Sequence, residues 1–112
     1  MSNRTDKPWG YEELLTLNDI YAIKLLVINE GHCLSLQYHQ LKRETWYILS
    51  GEGAATVGDK MFSIKPGMTI DLPPETVHRV FAGRSDVVIF EVSTPELDDV
   101  VRVEDDYGRT QS

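Results

Sequence analysis

From residue 50 to residue 83, turn signals interrupt the chain every few residues, and no window of ten or more residues there keeps a helical period free of Gly or Pro. Gly51, Gly53, Gly58-Asp59, Pro66-Gly67, Pro73-Pro74 and Gly83 separate short runs rich in β-branched and aromatic side chains. Together with the runs upstream, these read as strands over 21–28, 34–39, 45–49, 54–57, 61–64, 69–72, 78–81 and 87–92. Only residues 11–18 carry a helical period over a usable length, and it is weak. Eight short strands with no helices between them argue against a parallel α/β fold and predict an all-β barrel or two packed sheets. A chain of 112 residues fits a single domain with a small core, one that a metal or a second copy would help to stabilise.

Charge narrows the partners. The net charge is −7, divided as −2 over residues 1–19, zero over 20–90 and −5 over 91–112. Nucleic acid and anionic membranes both need a basic footprint, so neither is expected as a partner. The apolar runs at 25–28 and 87–90 are far shorter than the roughly 18–20 residues that span a bilayer. Residues 1–7 are polar, without the apolar centre of a signal peptide, and Cys33 is the single cysteine. These features together predict a cytoplasmic protein without disulfides.

The most informative stretch is 31–51, GHCLSLQYHQLKRETWYILSG. Strand alternation puts Leu34, Leu36 and Tyr38 on one face and Ser35, Gln37 and His39 on the other. An apolar face backing a polar one fits a strand that lines a cavity. After a turn, Glu44 shares its parity with Trp46 and Ile48, and His78 opens a later strand just past Pro73-Pro74. Two imidazoles, a carboxylate and an amide oxygen make a mixed N/O donor set suited to one divalent ion such as Zn, Mn, Fe, Co or Ni, and the lack of thiolates argues against a soft site.

The spacing of Gly31, Gln37, His39, Glu44 and Gly51 resembles the first cupin motif, with Gln in the place of its first histidine. Gly67, Pro73 and His78 resemble the second, which departs from the usual pattern at Glu75 (Gly) and Ala82 (Asn). More narrowly, KPWG at 7–10, LSLQYH at 34–39, ETW at 44–46, VHR at 77–79 and DDVVRVEDDYGR at 98–109 resemble the phosphomannose isomerase domain of the bifunctional mannose-1-phosphate guanylyltransferase/phosphomannose isomerases. The resemblance implies a single-domain cupin, a jelly-roll-like double-stranded β-helix barrel. Residues 1–19 would cover it and 94–112 would form an acidic tail. It also implies Gln37, His39, Glu44 and His78 as ligands of a zinc-type ion, and mannose 6-phosphate or fructose 6-phosphate as substrate. The nucleotidyltransferase half is not in this sequence, so no guanylyl transfer is implied. Small size and the habit of the family imply a homodimer.

Aldose–ketose isomerisation needs a base for a C–H bond, an electrophile for the carbonyl and a grip on the phosphate. With the ligands committed, no histidine is free to act as the base, since His32 has the parity of Leu34 and Tyr38. Lys24 shares parity with Leu26 and Ile28, so it either snorkels to solvent or faces the cavity as a catalytic candidate. Phosphate candidates are Lys24, Lys42, Arg43, Arg79, Arg102 and Arg109. Arg79, next to His78, should point away from the metal face and support the barrel by ion pairing. Arg102 could be delivered to the cavity mouth by a folded tail, as a catalytic group, and Arg109 as a substrate contact. Trp46 is a sugar platform or barrel filler, and Ser35 a further polar contact. Alternative readings of the same motifs are a non-catalytic sugar-binding or regulatory cupin and a metal-dependent dioxygenase.

Overall fold

The structure is a computed structural model that describes residues 3–107. Eleven strands follow one another: β1 (Asn3–Lys7), β2 (Gly10–Leu17), β3 (Ala22–Ile28), β4 (Leu36–Tyr38), β5 (Glu44–Ser50), β6 (Gly53–Val57), β7 (Lys60–Ile64), β8 (Thr69–Leu72), β9 (His78–Ala82), β10 (Val87–Ser93) and β11 (Val101–Glu104). They form two antiparallel sheets, ordered β1-β2-β3-β10-β5-β8 and β11-β4-β9-β6-β7. This is the cupin double-stranded β-helix. Among the described residues, no helix is long and apolar enough to cross a membrane.

The core forms where the inward rows of the two sheets meet. Leu26 and Ile28, Trp46 and Ile48, and Val87 and Ile89 come from the first sheet; Ala55, Ile64, Val80 and Ala82 come from the second. The alternation expected for Glu44, Trp46 and Ile48 holds, since all three are buried while Tyr47 and Leu49, of the opposite parity, are exposed. Gly51, at the end of the first motif, has φ +88 and packs so tightly that a Cβ would run into the Asp86 carbonyl.

Three sequence expectations are corrected. Residues 11–18 are not helical: 10–17 form β2, which pairs with β1 and β3 and extends the six-stranded sheet. Local helical period loses here to the hydrogen-bonding edge that β3 offers. The strand expected over 34–39 shortens to Leu36–Tyr38. Residues 33–35 lie outside the regular ladder, with Cys33 in an isolated bridge to Phe81 and Leu34 N–H donating to Val80 O. Alternation is broken across them. Leu34 therefore joins the core and the cavity wall instead of sharing an outer face with Leu36 and Tyr38.

Candidate metal centre and cavity

His39 ends the segment carrying β4, Glu44 opens β5 and His78 opens β9, so three chain segments converge at one end of the barrel interior. Their ligand atoms lie within 4.8 Å of one another, and all three residues are buried. His39 Nε2 is 3.4 Å from Glu44 Oε2, and His78 Nε2 is 3.5 Å from Glu44 Oε1. On the far side of each ring, Nδ1–H donates to a backbone carbonyl, that of Asp99 for His39 and that of Thr76 for His78. This fixes the tautomer in which both Nε2 lone pairs point at the centre. His39 Nε2, His78 Nε2 and Glu44 Oε1 are buried without a hydrogen-bond partner. Three orphaned donor atoms converging on one point are costly unless something fills it, and their N/O chemistry fits a divalent cation. Gln37, whose partner across the ladder is His78, lines the same cavity and accepts a hydrogen bond from Ser35 Oγ at 2.8 Å.

Electrostatics tie the cluster together. Burial would raise the Glu44 carboxyl, but the close approach of His39, then the charge of Lys42 and the neighbouring His78, hold it well below the usual carboxylate range. Burial lowers His78, with Glu44 only partly offsetting it. Burial also pulls His39 down, yet Glu44 more than reverses the effect and leaves it raised. Lys42 Nζ lies 2.9 Å from Glu44 Oε2 and 3.7 Å from Glu91 Oε2. The two carboxylates outweigh the burial that would lower Lys42 and keep it charged. Burial first, then repulsion from Glu44, pushes Glu91 up to about 7.

The cavity at the cluster has a volume of about 100 Å3 and leads into an outer space of about 330 Å3, with Lys7, Glu12, Lys24 and Arg102 among the residues common to both walls. Lys24 points inward, so its parity with Leu26 resolves in favour of the cavity, and its ammonium pairs with Glu12 at 3.2 Å. Arg102, on β11 opposite Gln37, reaches the same wall, with its Nε buried and unpartnered. Trp46 is fully buried, meets the His78 ring edge-on at 5.3 Å and donates its indole N–H to Glu91 at 3.1 Å. Ser35 is buried beside Gln37 and is not part of the cavity wall. Arg109 lies outside the described residues. Arg79 faces away, as alternation predicts: its guanidinium donates to Leu34 O and Glu104 O and pairs with Glu104 and Asp106, tying the tail to the barrel.

Among the charged wall residues, Glu91, Lys7 and Glu12 are not singled out by the sequence. Glu91 falls in the acidic C-terminal segment, although its parity with Val87 and Ile89 marks it as inward-facing. Lys42, a phosphate candidate by sequence, instead pairs with Glu44 and Glu91, and Lys7 and Glu12 reach the rim only because β1 and β2 form it. With these included, the inner wall holds Lys7, Lys24, Lys42 and Arg102 against Glu12, Glu44 and Glu91, a formal excess of one positive charge.

Comparison with known proteins supplies the lineage. Residues 1–105 match the family described as mannose-6-phosphate isomerase C-terminal. The chain belongs to that family. Among curated relatives, the alginate biosynthesis protein AlgA of Pseudomonas aeruginosa is 32% identical over 108 residues, covering 93% of this chain and 22% of AlgA. The mannose-1-phosphate guanylyltransferase ManC of Salmonella typhimurium is 29% identical over 113 residues, covering 97% of this chain and 24% of ManC. The chain thus spans about a quarter or less of such relatives. Of solved structures, a cupin-2 domain from Rhodospirillum rubrum superposes with TM-score 0.77 at 16% identity, covering 85% of this chain and 70% of that one. The capsular polysaccharide assembling protein CapF of Staphylococcus aureus does so with TM-score 0.78 at 16% identity, covering 94% of this chain and 33% of CapF. At these identities the superpositions speak for the fold alone.

Proposed function

We propose that this family member is a metal-dependent aldose–ketose isomerase that interconverts mannose 6-phosphate and fructose 6-phosphate. The observation that carries the reading is the convergence of three buried, unpartnered donor atoms from His39, Glu44 and His78, of which His39 and Glu44 also line a cation-rimmed cavity. His39, Glu44 and His78, with the Gln37 amide oxygen, would hold one divalent ion, zinc being the first choice for this donor set. When bound, such an ion supplies Lewis-acid polarisation of the sugar carbonyl. The chain's own side chains do the rest. Lys7, Lys24 and Arg102 line the passage between the inner and outer spaces and would attract and orient a phosphate. The inner space holds only about three waters at roughly 30 Å3 each. The sugar's reactive end would displace them, and the Trp46 wall would keep bulk water away.

The test is a coupled assay in both directions on the chelator-stripped chain reloaded with Zn, Mn, Co or Ni in turn. The reading predicts turnover that chelator abolishes and one of these metals restores. Failure of every metal-loaded preparation on both sugars refutes it.

A further inference from the structure

The isomerase reading leaves one requirement open: a group to carry the proton between adjacent carbons. His39, Glu44 and His78 are committed to the metal centre. Lys24 is ion-paired to Glu12 at 3.2 Å. Two carboxylates of the inner wall then remain, Glu12 and Glu91. Glu12 sits at the rim, its side chain 20% exposed and bracketed by Lys24 and, at 3.7 Å, Lys7. Glu91 lies deeper, 4% exposed, on the inward row of β10 with Val87 and Ile89.

The geometry points to Glu91 as the catalytic acid–base residue, resting on the isomerase reading above. Its carboxylate is oriented from two sides. The Trp46 indole N–H donates to Oε1 at 3.1 Å, and Lys42 Nζ stands 3.7 Å from Oε2. Lys42 also touches Glu44 Oε2, so one ammonium links the proposed proton carrier to the metal centre. The charged groups that act most on Glu91 come from three places, Glu44 from β5, Lys42 from the turn before it and Lys24 from β3, while Arg102, Glu12 and Lys7 share the same wall. Burial and Glu44 favour the protonated carboxyl, and Lys42 and Lys24 favour the carboxylate. A group balanced in this way can both take and return a proton near neutrality.

In the aldose-to-ketose direction a Glu91 oxygen bonds the proton leaving C2. The C2–H electron pair becomes the C1–C2 double bond, and the carbonyl pair moves onto O1 to give an enediolate. The O2 hydroxyl proton passes to O1, the pair left on O2 forms the ketone, and the double-bond pair takes the proton from Glu91 onto C1. Glu91 ends ionised, as it began, and no oxidant or co-reactant is consumed.

The experiment compares the metal-loaded full chain with E91Q and E91D, measuring kcat, KM, the pH profile, metal per chain and exchange of the C2 hydrogen in deuterated water. The expected result for E91Q is a fall in kcat of about 100-fold or more, loss of C2–H exchange, and metal content and KM within about threefold of wild type. E91D, whose shorter side chain withdraws the carboxylate, should retain a rising acid limb that is displaced along the pH axis, with kcat lowered by about tenfold or more. If E91Q does not fold, the E91D profile decides: unchanged kcat and an unmoved limb overturn the proposal. E91Q turning over within about threefold of an active wild type overturns it while leaving the isomerase reading standing. A wild-type chain that binds metal but turns over neither sugar overturns both.

Discussion

Asp99 holds His39 from behind: its backbone carbonyl accepts the Nδ1 proton, while its carboxylate accepts the amide protons of Gln40, Leu41 and Lys42. One residue of the β10–β11 connection thereby sets the tautomer of a candidate ligand and the shape of the turn that buries Lys42 between Glu44 and Glu91.

Removing that carboxylate should loosen the centre. Asp99→Ala is expected to weaken affinity for a divalent ion by about 10- to 100-fold, with Asp99→Asn in between. Competition titration against a chelating dye measures it. The amide hydrogen bonds, that of Leu41 foremost, hold the Asp99 carboxyl below its ordinary 3.8. The folded chain therefore binds this proton less readily than the unfolded one. The stabilisation is complete above the unfolded value and is lost as pH falls through the folded one. Thermal melts in acid should show a sensitivity that Asp99→Asn reduces.

Glu91 has the opposite sign. Its carboxyl is pushed up to about 7 from an ordinary 4.5, so the folded state holds the proton more tightly. Its contribution to stability is full below the unfolded value and is lost as pH rises through the folded one. At roughly 1.4 kcal/mol per pH unit, the loss in metal-free protein is a few kcal/mol. Denaturant midpoints in the presence of chelator should fall across that window in wild type and stay flatter in Glu91→Gln.

Glu75 stands in a conformation that suits glycine. Its φ is +67, the single positive value at a non-glycine position among the described residues, and its N–H donates to His39 O at 2.6 Å. Glu75→Gly should raise stability by about 0.5–1 kcal/mol, the relief of left-handed strain outweighing the added entropy of the unfolded chain. A higher denaturant midpoint at unchanged slope is the expected readout.

Arg79 and Cys33 pin the tail. Cys33 Sγ donates to Asp106 at 3.1 Å, and burial followed by that bond pushes its thiol up to about 11. Alkylation at neutral pH should therefore be slow. Arg79→Ala, which frees Glu104 and Asp106, should loosen the tail and speed amide exchange in β11. It should also raise KM for a phosphorylated sugar, because β11 carries Arg102 to the cavity wall.

Much of this was legible in the sequence, because a strand buried on one face writes its parity directly. Glu44, Trp46 and Ile48 face inward together, as do Lys24, Leu26 and Ile28. What the sequence could not show depends on departures from regular pairing. The break at residues 33–35 turns Leu34 inward, and the clasp by Asp99 buries Lys42 through contacts nearly 60 residues apart. Residues 11–18 illustrate the same limit, since a weak local period was overruled by pairing with β3. Glu91 is a different case. Its parity was available, but the acidic segment that follows it drew it into the wrong group.

Metal content per chain shows whether the orphaned atoms of His39, Glu44 and His78 bind a metal. Elemental analysis of the purified chain after metal loading and desalting should find one divalent ion per wild-type chain. His39→Ala and His78→Ala should retain less than about a tenth of that, since loss of a ligand leaves too few donors for a stable site. Wild-type chain that takes up no ion, or a His39→Ala/His78→Ala double variant that keeps a full equivalent, would contradict the account.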